Sequence, residues 1–217
     1  MNYETILYEV ENGILTITLN RPEVFNSFNR EMALLLQKKL DDCNTDENVR
    51  AIVITGNGKA FCSGQDLKAI SGMEKRSFID SINKRYNPII RAMRNMPKPI
   101  ICRLNGVAAG AGCSLALACD FIIASESAIL VEAFVNIGLI PDTGGTYWLP
   151  KLLGRQQANY LAFTGKKLSA TEAKNLGLIA DVFEDENFMQ NAMGILEQIS
   201  NLPTKAISLT KKAFNES

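Results

Sequence analysis

The 217-residue sequence contains no histidine. That absence removes Ser-His-Asp and Cys-His nucleophile machinery, together with the commonest ligand for a transition metal. Any chemistry must draw on carboxylates, hydroxyls, thiols, lysines or the backbone itself. Net charge is missing as well, because 23 Lys and Arg balance 23 Asp and Glu. Without a basic stripe, neither phosphate-led binding of nucleic acid nor a polybasic membrane contact is expected. No apolar run approaches the length of a membrane span, and the first ten residues lack the pattern of a secretory signal. Cys43, Cys62, Cys102, Cys113 and Cys119 are odd in number and form no C-x-x-C pair, so they read as reduced thiols used for packing. These absences place the chain in the cytoplasm and leave no candidate metal ligand set.

What is present suits one globular domain: hydrophobic residues make up 47% of the chain, enough for a sizeable core. Ile6 to Glu9 and Ile14 to Leu19 flank Glu11-Asn12-Gly13 and read as a β-hairpin. Asn29 is placed to cap a helix whose Met32, Leu35, Leu36 and Leu40 recur at helical spacing. Ala51 to Thr55 reads as a buried strand, followed by a small-residue loop entering a short helix near Asp66. Ser77 to Met96 reads as a helix stopped by Pro97 and Pro99. Pro99 to Leu104 and Phe121 to Ala124 read as strands, with the helix Cys113 to Cys119 between them. From Pro141 onward the pattern predicts helices at Thr146 to Leu153, Gln156 to Phe163, Ala170 to Leu176 and Asn187 to Ser200, with a strand at Ile179 to Phe183. A strand, a tight Gly/Ala loop and a helix occur at 51–70 and again at 100–119. The repetition predicts an α/β fold of repeated strand–strand–helix turns.

Three segments carry the candidate chemistry. The first loop, Ala60-Phe61-Cys62-Ser63-Gly64-Gln65-Asp66-Leu67-Lys68, is either a plain connection turning at Gly64 or a place where a ligand meets the main chain. The second, Asn105 to Gly112 with Cys113-Ser114, imitates a dinucleotide fingerprint and a nucleophile elbow. It lacks the third glycine, the following acid and any histidine. What survives is a helix N-terminus packed by small residues, suited to donating N–H groups to developing negative charge. The third segment holds Asp142 between an apolar run and Gly144-Gly145. Asp142 is either a helix-capping acid or a carboxylate held among Leu139, Ile140 and Trp148, where desolvation would make it a usable base. Glu132 reads as a salt-bridged or exposed strand residue.

Five separated motifs, in order, resemble the crotonase (enoyl-CoA hydratase/isomerase) superfamily. They are Asn20-Arg21-Pro22 with Asn26 to Asn29, Ala60 to Leu67, Asn105 to Gly112, Ile137 to Thr146, and Gly165 to Ala170 with Ala173 and Gly177-Leu178-Ile179. The resemblance implies a spiral of strand–strand–helix turns with a C-terminal helical region, assembled as a homotrimer or dimer of trimers. On that basis residues 1–200 form the catalytic domain, and 201–217 begin a trimerising helical region that is cut short. The substrate is an acyl-CoA, coenzyme A being part of it, and no separate cofactor is needed.

The resemblance further implies that the backbone N–H groups of Gln65 and Ala111 form an oxyanion hole. Ala60, Cys62, Ser63, Gly64, Gln65, Asp66, Leu67 and Lys68 would line the coenzyme A site, with Gly110, Ala111, Ser114 and Phe134 also at the substrate. Hydratases of the family use two glutamates, whose positions hold Ser114 and Phe134 here. Asp142 stands where isomerase-like members carry their acid. The segment from Ile137 to Pro150 resembles the epoxyphenylacetyl-CoA isomerase branch of phenylacetate catabolism and related 3-enoyl-CoA isomerases. Isomerisation by Asp142 is therefore the expected reaction. The alternatives are an enoyl-CoA hydratase recruiting Glu132, an acyl-CoA thioester hydrolase, or a non-catalytic acyl-CoA binding protein.

Overall fold

The structure is a computed structural model that describes residues 4–68 and 78–217. Strands β1 (Ile6–Glu11) and β2 (Ile14–Leu19) form the expected hairpin. Asn12 at φ 50° and Gly13 at φ 77° both adopt the left-handed conformation that a tight two-residue hairpin loop demands. Asn29 caps α1 (Arg30–Thr45), its side chain accepting from the Met32 N–H at 2.8 Å.

Three strand–strand–helix turns follow. The first runs β3 (Ala51–Gly56), β4 (Ala60–Cys62), then α2 (Phe78–Ser81), a π-helical turn at Ile82–Tyr86 and α3 (Asn87–Asn95). The second is β5 (Ile100–Leu104), β6 (Val107–Ala109) and α4 (Ala111–Ala118). The third is β7 (Phe121–Ser125), β8 (Ile129–Val131), a 3-10 turn at Ala133–Ile137 and α5 (Gly145–Thr164). The chain ends through β9 (Leu168–Ser169), α6 (Ala170–Asn175), β10 (Asp181–Phe183), α7 (Phe188–Asn201) and α8 (Thr204–Glu216).

Each turn leaves one strand in each of two sheets. The larger has order β1-β2-β3-β5-β7-β10, parallel from β2 onward, and the smaller has order β4-β6-β8-β9. The expected α/β spiral is the fold observed. Strand β3 is buried on both faces, which is why Ala51 to Thr55 reads as an unbroken apolar run. One face of the large sheet packs on α7 through Val53, Ile101, Ile123, Phe188 and Leu196. The main core fills the other side and surrounds α4, all eight of whose residues are buried. Such a helix can be small and apolar all round because it has no solvent face.

Several boundaries differ from the sequence expectation. Residues 66–68 are not helical: the Asp66 carboxylate is held by Arg21 at 2.9 Å and accepts from the Lys68 N–H, and the rest of the expected short helix lies outside the described residues. Ser77 also lies outside them. The helix expected through Met96 runs continuously from Phe78 to Asn95, with one π turn inside it at Ile82–Tyr86. The split expected near residue 154 is present as Gly154 at φ 70° and ψ 164°, a kink within α5. Strands β4, β6, β8 and β9 are not expected from sequence, since two or three residues are too few to show a periodicity. No described helix is long and apolar enough to cross a membrane.

Candidate active site

A cavity of about 270 Å³ opens where the loop after β4, the β6–α4 junction, the π turn and the 3-10 turn converge. Its walls are mostly apolar, with Phe134, Ile137 and Leu139 prominent. Gln65 and Ala111 lie on it together. Gly64, at φ 94°, lets this happen: a β-carbon there would sit 2.9 Å from the Ala109 carbonyl and 3.5 Å from the Ala111 nitrogen. Phe28 clamps the chain on both sides of Gln65, donating to the Gly64 carbonyl at 2.7 Å and accepting from the Asp66 N–H at 2.9 Å. Ala111 is the first residue of α4, where helix geometry leaves N–H groups unused. Neither the Gln65 nor the Ala111 amide has a hydrogen-bond partner among the described residues. Two free donors from crossing loops are a suitable receptor for a developing oxyanion.

Among the described residues, Asp142 is the only carboxylate lining the cavity. It does not cap α5, whose N-cap is Gly144. Burial raises its pKa above the ordinary 3.8, and a 2.8 Å hydrogen bond from the Thr143 hydroxyl pulls partly the other way. Thr143 itself is buried at φ 53°, a left-handed conformation that a β-branched residue rarely adopts. The Gly145 N–H donates to the Asp142 carbonyl at 2.7 Å and closes this turn. Leu139 shares the cavity wall with Asp142, as expected. Ile140 does not, being 73% exposed, and Trp148 packs beneath Arg94.

Tyr86 escaped the sequence reading, and Glu132 differs from the surface or salt-bridged acid expected. Tyr86, at the end of the π turn, reaches the cavity wall and donates to Oε1 of Gln65. Burial raises its phenol pKa, and the charge of Asp142 raises it further. At helical spacing with Ile89, Ile90 and Met93, Tyr86 reads as a core residue, so periodicity alone conceals it. Glu132, expected from sequence to be exposed or salt-bridged, is instead 3% exposed with no cation beside it among the described residues. The reading failed because the cover comes from α4 and α5, which no local pattern reveals.

Of the other expected site residues, Ser63, Gly64, Leu67, Gly110 and Phe134 line the cavity. Ala60 and Cys62 are buried in β4, and burial pushes the Cys62 thiol up to about 12. Asp66 is tied to Arg21, and Lys68 is exposed beside it. Ser114 is fully buried behind the cavity, 3.5 Å from Glu132. No cluster of three metal-ligating side chains exists among the described residues.

The sequence pattern described as enoyl-CoA hydratase/isomerase matches residues 9–217. The chain belongs to that family. Among curated relatives it is 44% identical over 215 residues to the 1,2-epoxyphenylacetyl-CoA isomerase of Escherichia coli (strain K12), covering 98% of this chain and 82% of that protein. It is 41% identical over 217 residues to a probable enoyl-CoA hydratase of Rhodobacter capsulatus, covering 99% of this chain and 82% of the relative. The crystal structure of enoyl-CoA hydratase from Bacillus anthracis superposes with a TM-score of 0.93 at 35% identity, over 97% of this chain and 82% of that one. These family members carry both isomerase and hydratase names on one crotonase-like spiral.

Proposed function

We propose that this enoyl-CoA hydratase/isomerase family member is an isomerase of acyl-CoA thioesters, with Asp142 as its proton carrier. The observation that carries the reading is that Asp142 is the only carboxylate lining the cavity among the described residues, on walls shared with two unpaired amides. The thioester oxygen binds between the N–H groups of Gln65 and Ala111. These donors bind the enolate more tightly than the ground-state carbonyl, and that difference lowers the barrier. Asp142 removes the proton alpha to the carbonyl, becomes a neutral acid suited to its dry setting, and returns the proton at the gamma carbon. The double bond moves into conjugation with the thioester. Desolvation brings the basicity of Asp142 closer to what proton abstraction near neutrality needs.

The name of the 44% identical relative supports an aromatic ring-epoxide thioester of phenylacetate catabolism as substrate, alongside aliphatic 3-enoyl-CoA. Coenzyme A enters as part of the substrate, with no further cofactor, in a cytoplasmic homotrimer or dimer of trimers. Hydration is the second reading, favoured by one observation: Glu132 is a buried acid close to Ser114. It does not line the cavity, however, and water addition needs a group at the water.

The test is conversion of a 3-enoyl-CoA to the conjugated 2-enoyl thioester, followed by ultraviolet absorbance, for wild type and Asp142→Asn. Turnover by wild type and its loss in the variant support the proposal. An inactive wild type, or an equally fast variant, refutes it and directs attention to water addition and thioester hydrolysis.

A further inference from the structure

Glu132 is an acid that the fold buries without a counter-charge among the described residues. Its Oε1 is 3.5 Å from the Ser114 hydroxyl, and its Oε2 has no hydrogen-bond partner. The ionisable groups facing it are Cys113, beside Ser114 in α4, and Asp142, from the turn ahead of α5. Tyr86 in turn faces Asp142 from the π turn. Gly145 covers the pair so closely that a β-carbon there would lie 2.6 Å from the Ser114 hydroxyl and 3.5 Å from Glu132 Oε1. The same Gly145 holds the Asp142 carbonyl through its N–H. The turn that carries Asp142 therefore rests on Ser114 and Glu132.

We propose that Glu132 is a positioning residue: its carboxyl, packed beside Ser114 and under Gly145, seats the Asp142–Gly145 turn. This inference rests on Asp142 being the proton carrier. Burial, above all, pushes the Glu132 carboxyl up to about 8; the Cys113 contact opposes this and the Asp142 charge adds to it. The group is thus protonated at pH 7. When it ionises, a second charge faces Asp142 with no cation beside it among the described residues, and the turn loses its support.

Two measurements test this. The first needs no turnover: chemical denaturation of wild type and Glu132→Gln between pH 5 and 10. The unfolded Glu132 ionises near 4.5 and the folded one near 8. Wild type therefore loses stability relative to Glu132→Gln as pH rises between those values, and the gap is constant above them. In an Asp142→Asn background the plateau is reached at lower pH, because the like charge is gone.

The second measurement is the pH profile of isomerisation. Glu132→Ala lowers kcat about tenfold at pH 7 through misplacement of Asp142, with little change in KM. Glu132→Gln restores most of that loss and lacks the fall above pH 8 that wild type shows. Parallel stabilities of wild type and Glu132→Gln across the pH range overturn the proposal, as does a plateau unmoved by Asp142→Asn. So does a Glu132→Gln enzyme as slow as Glu132→Ala, which would make the carboxyl proton itself a reactant. If Glu132→Ala does not fold, the Gln variant carries both measurements. Failure of Asp142 as proton carrier leaves the denaturation result intact, so the two failures are distinguishable.

Discussion

The guanidinium of Arg94 lies over the indole of Trp148, its Cζ 4.5 Å from the ring centroid. The same group forms an ion pair with Asp120 at 3.2 Å and bonds the side chain of Asn215 in α8. Lys211 of α8 reaches Asp120 from the other side at 2.7 Å. Trp148 also packs on Gly144, two residues from Asp142. A planar cation thus joins the last helix, the α3 end and the helix that follows Asp142.

Replacement of Arg94 leaves Asp120 and Lys211 in a partly buried network without its planar member. Lys211 still pairs with Asp120, so Arg94→Ala is expected to destabilise the fold by about 1–2 kcal/mol, through the lost indole contact and hydrogen bonds. Arg94→Lys recovers little, because an ammonium neither stacks on the indole nor forks between Asp120 and Asn215. Urea denaturation of the three proteins checks both statements; a Lys variant equal to wild type would show that charge alone suffices.

Asp142→Asn is expected to abolish most turnover, by about a hundredfold or more, while raising stability at neutral pH. The sign follows from burial: the folded carboxyl has a pKa above its ordinary 3.8, so the folded state resists its ionisation. The extra stability of the variant is present at pH 7 and vanishes as pH falls below the unfolded value. Paired melting curves at pH 7 and in acid read this out.

Thr143 opposes that burial effect through its hydrogen bond to Asp142. Thr143→Val keeps the shape and removes the donor. The carboxylate is the active form, so the acid limb of the rate profile is expected to move to higher pH. A limb that stays in place would mean that Thr143 serves the turn and not the charge.

Ala111 offers a way to delete a backbone donor. It is the first residue of α4, a position where proline is tolerated because the N–H has no helical partner. Ala111→Pro is expected to cost about 3 kcal/mol of transition-state stabilisation, roughly a hundredfold in kcat. Its melting temperature should stay close to wild type. A variant that turns over normally would remove the Ala111 amide from the mechanism.

Local sequence is enough for the hairpin, the repeated strand–strand–helix turns and the two small-residue loops. These depend on local features: left-handed residues at Asn12-Gly13, an apolar run at Ala51 to Thr55, and glycine at position 64. It also singled out Asp142, in a motif of fixed order, and that residue does lie on the cavity wall. The remainder depends on contacts between segments far apart in the chain. Three-residue strands such as Val107–Ala109 exist only because partner strands in the same small sheet complete their hydrogen bonds. Tyr86 reaches the cavity through a π turn that helical periodicity does not encode. Glu132 is a buried neighbour of Asp142, and not a surface acid, because α4 and the Gly145 turn close over it from distant parts of the chain. Burial is a property of what packs against a residue, and the protonation of an acid follows burial more than it follows sequence.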